Sequence, residues 1–297
     1  MSLRLSALAA SALIAASALP AAAVPFAGLV GGNQLVGFDS ASPGTITSTL
    51  NVTGLNAGDR LVGIDTRPAT GQFYALGSQS SLSTINTSSG AALFVASLST
   101  AGSPTLLNGT SFGFAFNPVV DRIRIVSDTT QNLRVNPDTG VAIVDGALNY
   151  VAGDPNAGTR PNVTAVAYRN QVAGATTTEL YDIDTNLDVL ATQNPPNAGG
   201  LATDGSLGVN ASSVAGFDIV GNNDGFASLT VGGTNGFYSI NLDNGAATFI
   251  GAFTTNVSDI AQAQIGAPAQ AVPEPASMAV LGLSVVGLLA ARRRRVG

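Results

Sequence analysis

The segment Arg134-Val135-Asn136-Pro137-Asp138-Thr139-Gly140 describes the end of a short β-strand and the tight turn that follows it. Pro137 fixes φ, the Asn136 side chain can cap the turn, and Gly140 suits the left-handed position of a hairpin bulge. An apolar strand that ends in Asn or Asp recurs elsewhere in the chain, at Thr84-Ile85-Asn86, Asp182-Ile183-Asp184 and Ser239-Ile240-Asn241. These repeats predict a succession of β-hairpins.

A second recurring element opens each repeat with a short apolar strand, in most cases one that contains glycine. It recurs about every 50 residues, at Val62-Gly63-Ile64-Asp65, Phe112-Gly113-Phe114, Thr164-Ala165-Val166 and Ala215-Gly216-Phe217-Asp218. No long segment with helical periodicity lies between these strands. Repeats of this length with about four strands each are typical of propeller blades.

The two flanks of the repeats supply the strands of one further blade. Residues 27–30, 34–38 and 45–52 resemble the last three strands of a blade, and residues 258–265 resemble a first strand. We therefore predict an all-β, five-bladed β-propeller-like repeat domain that is closed by N- and C-terminal strands. A β-sandwich or a β-solenoid with the same number of strands is the alternative.

The composition excludes several kinds of chemistry. The 297 residues include no Cys, His, Trp or Lys. Disulfides, thiolate nucleophiles, Ser-His triads, His-ligated metals and lysine Schiff bases are therefore absent. Catalysis, if any, would depend on Asp, Tyr, Arg, Ser, Thr or Glu179, and the sequence assigns no catalytic residue among them.

The sequence predicts a targeting segment at each end of the chain. Residues 1–23 combine Arg4, an apolar run and a small-residue cleavage site, as in a secretory signal peptide. Near the C-terminus, Pro273-Glu274-Pro275 precedes an apolar stretch over residues 276–291, which as a membrane helix would rise about 24 Å. The arginines that follow should stay cytoplasmic, and they are Arg292, Arg293, Arg294 and Arg295.

A Pro-Glu-Pro motif, a short apolar helix and an arginine cluster in this order resemble the PEP-CTERM sorting signal of Gram-negative bacteria. The resemblance implies that secretion machinery exports the chain and that an exosortase-type enzyme processes its tail. It also implies a transient inner-membrane anchor and a final place at the cell surface or outside the cell, often in bacteria that make extracellular polysaccharide. The expected domains are 1–23, 24–268 and 269–297.

The body between the two ends is strongly acidic. Residues 24–271 contain 7 arginines and 17 acidic residues, which gives a net charge near −10. Electrostatics should therefore oppose binding to nucleic acid or to an anionic membrane. Neutral polymers and cations remain compatible partners.

The body also resembles an uncharacterised bacterial family, a domain of unknown function common in exported proteins. The segments that carry the resemblance span most of residues 30–265, and they include Leu61-Val62-Gly63-Ile64-Asp65, Asp121-Arg122-Ile123-Arg124 and Gly153-Asp154-Pro155-Asn156-Ala157-Gly158. The resemblance implies an exported β protein and assigns no activity.

An alternation of oxygen ligands raises the question of a calcium site. Asp182, Asp184, Asn186 and Asp188 supply hard oxygen donors at every second position. However, Asp184 corresponds to the turn-opening residues Asn86, Asn136 and Asn241, and the glycine of an EF-hand loop is missing. The pattern favours turn residues, with Ca²⁺ as the alternative and no other cofactor expected.

Two further groups are candidates for binding a ligand. Alternation along a strand places Arg122 and Arg124 on one face and Ile123 and Ile125 on the other, with Arg134 as a possible cross-strand neighbour. These arginines could line a subsite for an acidic sugar, or form a polar outer strand. A long loop from Asp145 to Asn162 could face a ligand or simply link two blades, and it carries Tyr150, Asp154 and Arg160.

These observations favour a non-enzymatic surface or matrix protein that binds polysaccharide or another surface protein. The alternative is a carbohydrate-active enzyme, a polysaccharide hydrolase or lyase, that would use Asp carboxylates or Tyr150 with Arg160. A structural spacer is a third possibility.

Overall fold

The computed structural model describes residues 23–221 and 223–266, and these residues build five four-stranded antiparallel sheets arranged around an axis. The predicted signal peptide, apart from Ala23, and the predicted C-terminal membrane helix lie outside the described residues. No helix among the described residues has the length and apolarity needed to cross a bilayer. The predicted domain limits are a matter of sequence alone and stay a prediction.

Blades 1 to 3 are numbered from the N-terminus, and each is given from the axis outward. Blade 1 comprises β23 (Val257–Gln262), β1 (Pro25–Val30), β2 (Gln34–Asp39) and β3 (Ser48–Asn51). Blade 2 comprises β4 (Leu61–Thr66), β5 (Phe73–Gly77), β6 (Ser81–Ile85) and β7 (Ala92–Ser97). A small hairpin of β8 (Ser99–Thr100) and β9 (Ser103–Pro104) leads to blade 3, which comprises β10 (Phe112–Asn117), β11 (Arg122–Ser127), β12 (Asn132–Val135) and β13 (Ala142–Val144).

Blades 4 and 5 complete the ring. Blade 4 comprises β15 (Val163–Tyr168), β16 (Leu180–Asp184), β17 (Val189–Gln193) and β18 (Gly200–Ser206), with a 3₁₀ turn at Pro196–Ala198 and with β14 (Asn149–Tyr150) added in parallel at its outer edge. Blade 5 comprises β19 (Ala211–Val220), β20 (Asp224–Val231), β21 (Thr234–Ile240) and β22 (Ala247–Ala252).

The five innermost strands contact one another in the cyclic order β4, β10, β15, β19 and β23, so the ring is closed. Closure depends on β23, which pairs with β1 antiparallel and places Phe26 opposite Gln262. The predicted five-bladed propeller and its closure by both ends of the chain are therefore confirmed. The closing strand β23 ends at Gln262, three residues before the end of the predicted strand over residues 258–265. The start of β1 and the end of β23 lie at the same face of the ring.

Apolar side chains fill each of the five seams between neighbouring blades. Each buried cluster draws its members from two adjacent sheets. The seam between blades 5 and 1, where the two ends of the chain meet, is rich in phenylalanine. Its rings lie 5.0 to 6.0 Å apart between centroids and belong to Phe26, Phe38, Phe226, Phe237 and Phe253. Aromatic pairs of this kind add stability beyond area burial, so they reinforce the closing seam.

Three buried aspartates tie the innermost strands together. Asp65 on β4 accepts a hydrogen bond from the Phe116 amide on β10 at 2.7 Å. Asp218 on β19 accepts from the backbone amide of Gln262 on β23 at 2.6 Å, and Asp259 on β23 accepts from the backbone amide of Ile64 on β4 at 2.8 Å. Each carboxylate also accepts from the amide of the residue that follows it. The aspartates therefore link blades side to side where no sheet pairing exists.

The hairpin turns take the form that the sequence predicts. The Asn136 side chain accepts hydrogen bonds from the Asp138 and Thr139 amides, and Gly140 has φ of +67°. A Cβ atom on Gly140 would lie 2.6 Å from the Ser97 carbonyl oxygen of blade 2. Glycine is thus required both by the backbone conformation and by the close approach of the neighbouring blade.

We expect Gly140→Ala to lower the free energy of unfolding by about 2–4 kcal/mol, because it adds a steric clash to the cost of a left-handed alanine. Gly71→Ala is the matched control, since Gly71 has φ of +72° and nothing within 4 Å of its Cβ position. The control should lose only about 1 kcal/mol in urea unfolding. Equal losses for the two variants would contradict the packing role of Gly140.

The axial aspartates should make the stability depend on pH. Burial raises the pKa of Asp218 to about 6 and also raises the pKa values of Asp65 and Asp259. Between about pH 4 and pH 6 the folded protein thus holds more protons than the unfolded chain, so stability falls as pH rises through this window. We expect Asp218→Asn to remove part of this fall, about 2–3 kcal/mol. The measurement is urea unfolding at pH 4, 5, 6 and 7, and an unchanged slope in the variant would contradict the assignment.

Candidate functional site

Strand β11 presents arginine to one seam and isoleucine to the other. Ile123 and Ile125 are fully buried in the apolar cluster between blades 2 and 3. Arg124 points to the opposite face and is only 2% exposed, while Arg122 is half-buried. Arg134 on β12 lies directly opposite Arg124, as the sequence suggested.

The three arginines converge on one cavity at the seam between blades 3 and 4. Its volume is about 390 Å³, within the range of small-molecule sites. Its lining residues come from blades 3 and 4 and from the 3₁₀ turn, and they are Asn117, Val120, Arg122, Ile123, Arg124, Arg134, Tyr168, Pro196 and Asn197. We call this cavity the arginine pocket.

Arg124 is fixed by bonds on several sides. Its Nη1 donates to the Asn132 side chain at 2.6 Å and to Asp145 at 2.8 Å, and its Nη2 donates to Asn197 at 2.9 Å. Its Nε is buried without a hydrogen-bond partner among the described residues. A buried unpaired donor is costly, so this atom retains unused hydrogen-bonding capacity inside the seam.

Asp145 is the carboxylate that neutralises part of the positive charge of Arg124. Arg134 also binds Asp145 in a bidentate contact, in which its Nε donates at 2.9 Å and its Nη2 donates at 3.0 Å. Burial disfavours its ionised form, but the hydrogen bonds from Arg134 and Arg124 prevail and hold the pKa of Asp145 below its usual value. One carboxylate therefore serves two arginines.

Arg122 completes an excess of positive charge in the pocket. Its Nη1 donates to the Asp121 carbonyl oxygen at 2.8 Å, and no ion pair of Arg122 is present in the described part of the chain. The Tyr168 hydroxyl, in the same lining, has no hydrogen-bond partner among residues 23–221 and 223–266. The site can thus offer a guanidinium and a hydroxyl to an anionic group.

A second carboxyl group lies in the same seam. Asp182 on β16 is fully buried, and neither of its carboxyl oxygens has a hydrogen-bond partner among the described residues. Burial raises its pKa well above the usual value, although Arg124 acts in the opposite direction. Because the neutral form is favoured, Asp182 cancels little of the arginine charge.

The long loop after blade 3 uses its polar side chains to hold itself in place. The Tyr150 hydroxyl donates to Asp184 at 2.8 Å, and burial raises the pKa of Tyr150. Asp154 accepts from the amide and hydroxyl of Thr203, at 2.6 and 2.9 Å. Arg160 is exposed. The structure does not bring these three residues to the arginine pocket, and their predicted ligand contact stays a prediction.

The four residues of the predicted calcium pattern do not converge. Asp184 accepts from the amides of Asn186 and Leu187, which makes it the turn residue that the repeat predicts. Asp188 accepts from the Ala211 amide at 2.8 Å, in the next blade. Among the described residues, no group of three or more Asp or Glu side chains is placed to hold a metal ion.

Sequence reasoning missed several parts of the pocket. Asp145 and Asn197 are distant from Arg124 along the chain: Asp145 reaches it through the pairing of the strands of blade 3, and Asn197 through the contact between blades 3 and 4. Tyr168 ends β15 and gives no sequence signal of its own beyond closing an apolar strand.

The fold and the pocket define the chain as a five-bladed β-propeller with a cationic cavity between two blades. It belongs to the family of the domain of unknown function DUF4394, whose model matches residues 34–261. Residues 271–295 match the PEP-CTERM protein-sorting motif. That motif marks an exported protein that is processed by an exosortase and is transiently anchored in a membrane. No curated protein matches the chain.

Several solved structures are similar at low identity. A protein of unknown function from Bacteroides thetaiotaomicron has a TM-score of 0.48 and 14% identity over 78% of this chain, and the match covers 59% of that protein. A glutaminyl cyclase from Myxococcus xanthus has a TM-score of 0.42 and 11% identity, over 66% of this chain and 77% of its own. The Dos1 propeller has a TM-score of 0.40 and 11% identity, over 80% of this chain and 65% of its own.

Asp182 and Asp184 allow a matched comparison within one strand. We expect Asp182→Asn to change the free energy of unfolding at pH 7 by less than about 1 kcal/mol, because a neutral carboxyl without partners is replaced by a neutral amide. Asp184→Asn should cost about 2–4 kcal/mol, because donors including Tyr150 and Asn162 lose an acceptor. Urea unfolding checks both values. A larger loss for the Asp182 variant would show that its carboxylate is ionised.

Proposed function

We propose that this exported propeller is a non-catalytic binding module of the cell surface or extracellular matrix, and that it binds acidic polysaccharide at the arginine pocket. A carboxylate or another anionic substituent of the polymer would contact Arg122 and the free side of Arg134. Arg124 is buried behind these two side chains and would add a fixed positive charge to the site.

The observation that carries this proposal is the concentration of positive charge. Three of the seven arginines between residues 24 and 271 line the arginine pocket, while the body as a whole has a net charge near −10. Among the described residues, Asp145 is the only carboxylate that forms an ion pair with these arginines, and it pairs with Arg124 and Arg134. Since low-dielectric walls reduce screening, this local excess acts more strongly on a bound anion than exposed charges would.

The other lining groups suit a saccharide. Asn117, Asn197 and Tyr168 supply amide and hydroxyl groups, and Val120 and Pro196 supply apolar surface. Arg134 already holds Asp145 through a two-bond contact, which shows the orientation in which a guanidinium receives a carboxylate. A uronic acid residue presents the same combination of carboxylate, hydroxyl groups and C–H surface.

The sorting signal supports a place of action outside the inner membrane. Pro273, Glu274 and Pro275 lie in the matched motif, as do Arg292, Arg293, Arg294 and Arg295. An exported protein that is released from an anchor outside the inner membrane would meet extracellular polymers. Cell-surface or extracellular placement is thus part of this proposal.

The test measures binding to polygalacturonate, a polyuronate, against neutral dextran, by calorimetry in chelator at physiological ionic strength. We expect Arg122→Gln to weaken polygalacturonate binding about 5- to 10-fold, equivalent to about 1–1.4 kcal/mol. Arg160→Gln is the matched control, because it removes the same charge from an exposed site outside the pocket. The control should bind as the unchanged protein does.

Polymer length is followed in the same samples. Unchanged length together with a selective loss in Arg122→Gln supports a binding module. Shortened polymer would replace this proposal by a carbohydrate-active enzyme. Equal losses in Arg122→Gln and Arg160→Gln, or no binding by the unchanged protein, would overturn the arginine pocket as the site.

A further inference from the structure

A second cavity opens on the axis, at the end where all five innermost strands begin. It has a volume of about 550 Å³ and lies at the opposite end of these strands from the arginine pocket. Every blade contributes to its wall, through Arg60 before β4, Ser111 before β10, Thr164 on β15, Ser213 on β19 and Ser258 on β23. We call this cavity the axial mouth.

The mouth narrows towards the other end of the ring. Where the innermost strands finish, the space among Asp65, Gln171, Asp218 and Gln262 is only about 60 Å³. Asp65 and Asp218 line this space, and Gln171 donates across to the Phe116 carbonyl oxygen at 2.9 Å. A ligand would therefore enter and leave from the open side.

Two glycines form the turn between β1 and β2 at the rim of the mouth. Gly31 and Gly32 both have positive φ, of +59° and +78°. A Cβ atom on Gly32 would lie 3.0 Å from the Arg60 Cβ and 3.1 Å from the Leu61 carbonyl oxygen. Glycine at position 32 therefore permits the close packing of this turn against the start of β4.

The chemistry of the wall differs from that of the arginine pocket. No Asp or Glu is among the lining residues, and Arg60 is their one charged side chain. Ser111 is half-buried and Ser213 and Asn256 are exposed at the rim, and in the described part of the chain their side chains have no hydrogen-bond partner within the protein. Hydroxyl and amide groups both donate and accept, which matches the hydroxyl groups of a sugar. Phe112 and Val214 add apolar surface for its C–H face.

From this geometry we infer that the axial mouth is a second binding site, which takes a neutral saccharide. The inference does not depend on the arginine pocket, because the two cavities share no lining residue and lie at opposite ends of the innermost strands. The volume of the mouth lies within the range of small-ligand sites. Ser111, Ser213 and Asn256 would bind the hydroxyl groups of the ligand.

The experiment probes an array of neutral glycans with glucose, galactose, mannose and N-acetylhexosamine ends, next to the polyuronates. The unchanged protein should bind at least one neutral class. Ser213→Phe, which fills the mouth, should reduce that signal more than tenfold, and Asn256→Ala about threefold without adding bulk. Ser212→Phe is the matched control, because Ser212 is exposed next to Ser213 but does not line the mouth.

The two sites are separated by Arg122→Gln, which should leave neutral-glycan binding unchanged even if polyuronate binding is lost. A failure of polyuronate binding alone would overturn the proposed function and leave the axial mouth standing. No neutral glycan bound, or equal losses in Ser212→Phe and Ser213→Phe, would overturn the axial mouth as a saccharide site. Thermal unfolding of each variant checks that the ring is intact.

Discussion

The structure depends on hydrogen bonds from backbone amides to carboxylates that are buried beside the axis. Within a blade the strands are paired by their own backbones, but no sheet pairing joins the innermost strands of neighbouring blades. Asp65, Asp218 and Asp259 bridge three of the five junctions between innermost strands, each with one bond to its own strand and one to the next. Burying three carboxylates so close together is costly, and the paired amides offset that cost. The ring is thus held at its centre by polar contacts and outside the centre by apolar seams.

The seam between blades 3 and 4 departs from this division, and the arginine pocket is the result. Arg124 and Asp182 both lie buried there, at 2% and 0% exposure. Polar groups in this setting need partners, and Asn132, Asp145 and Asn197 supply them for Arg124. The unpaired Nε of Arg124 and the unpaired carboxyl oxygens of Asp182 show that the seam is not saturated. A site with unused bonding capacity inside a rigid frame suits recognition better than it suits stability alone.

Local chemistry made much of the fold predictable. The turn at Asn136 to Gly140 follows from the demands of a hairpin, and the alternation of Arg122 to Ile125 assigns each side chain to one face of a strand. Closure followed from counting strands at both ends. The pocket was predictable only in part, because Asn197 reaches Arg124 through the contact between two blades and Asp145 through the pairing of strands within blade 3. The loop with Tyr150 and Asp154 appeared suited to a ligand because of its length, yet those polar groups bind Asp184 and Thr203.

The pairing of β1 with β23 also orients the molecule. Phe26 lies opposite Gln262, so β1 begins and β23 ends at the same face of the ring, where the innermost strands finish. The C-terminal tail is therefore attached to the ring at the end opposite to the axial mouth, so a transient anchor and the mouth lie at different ends of the ring.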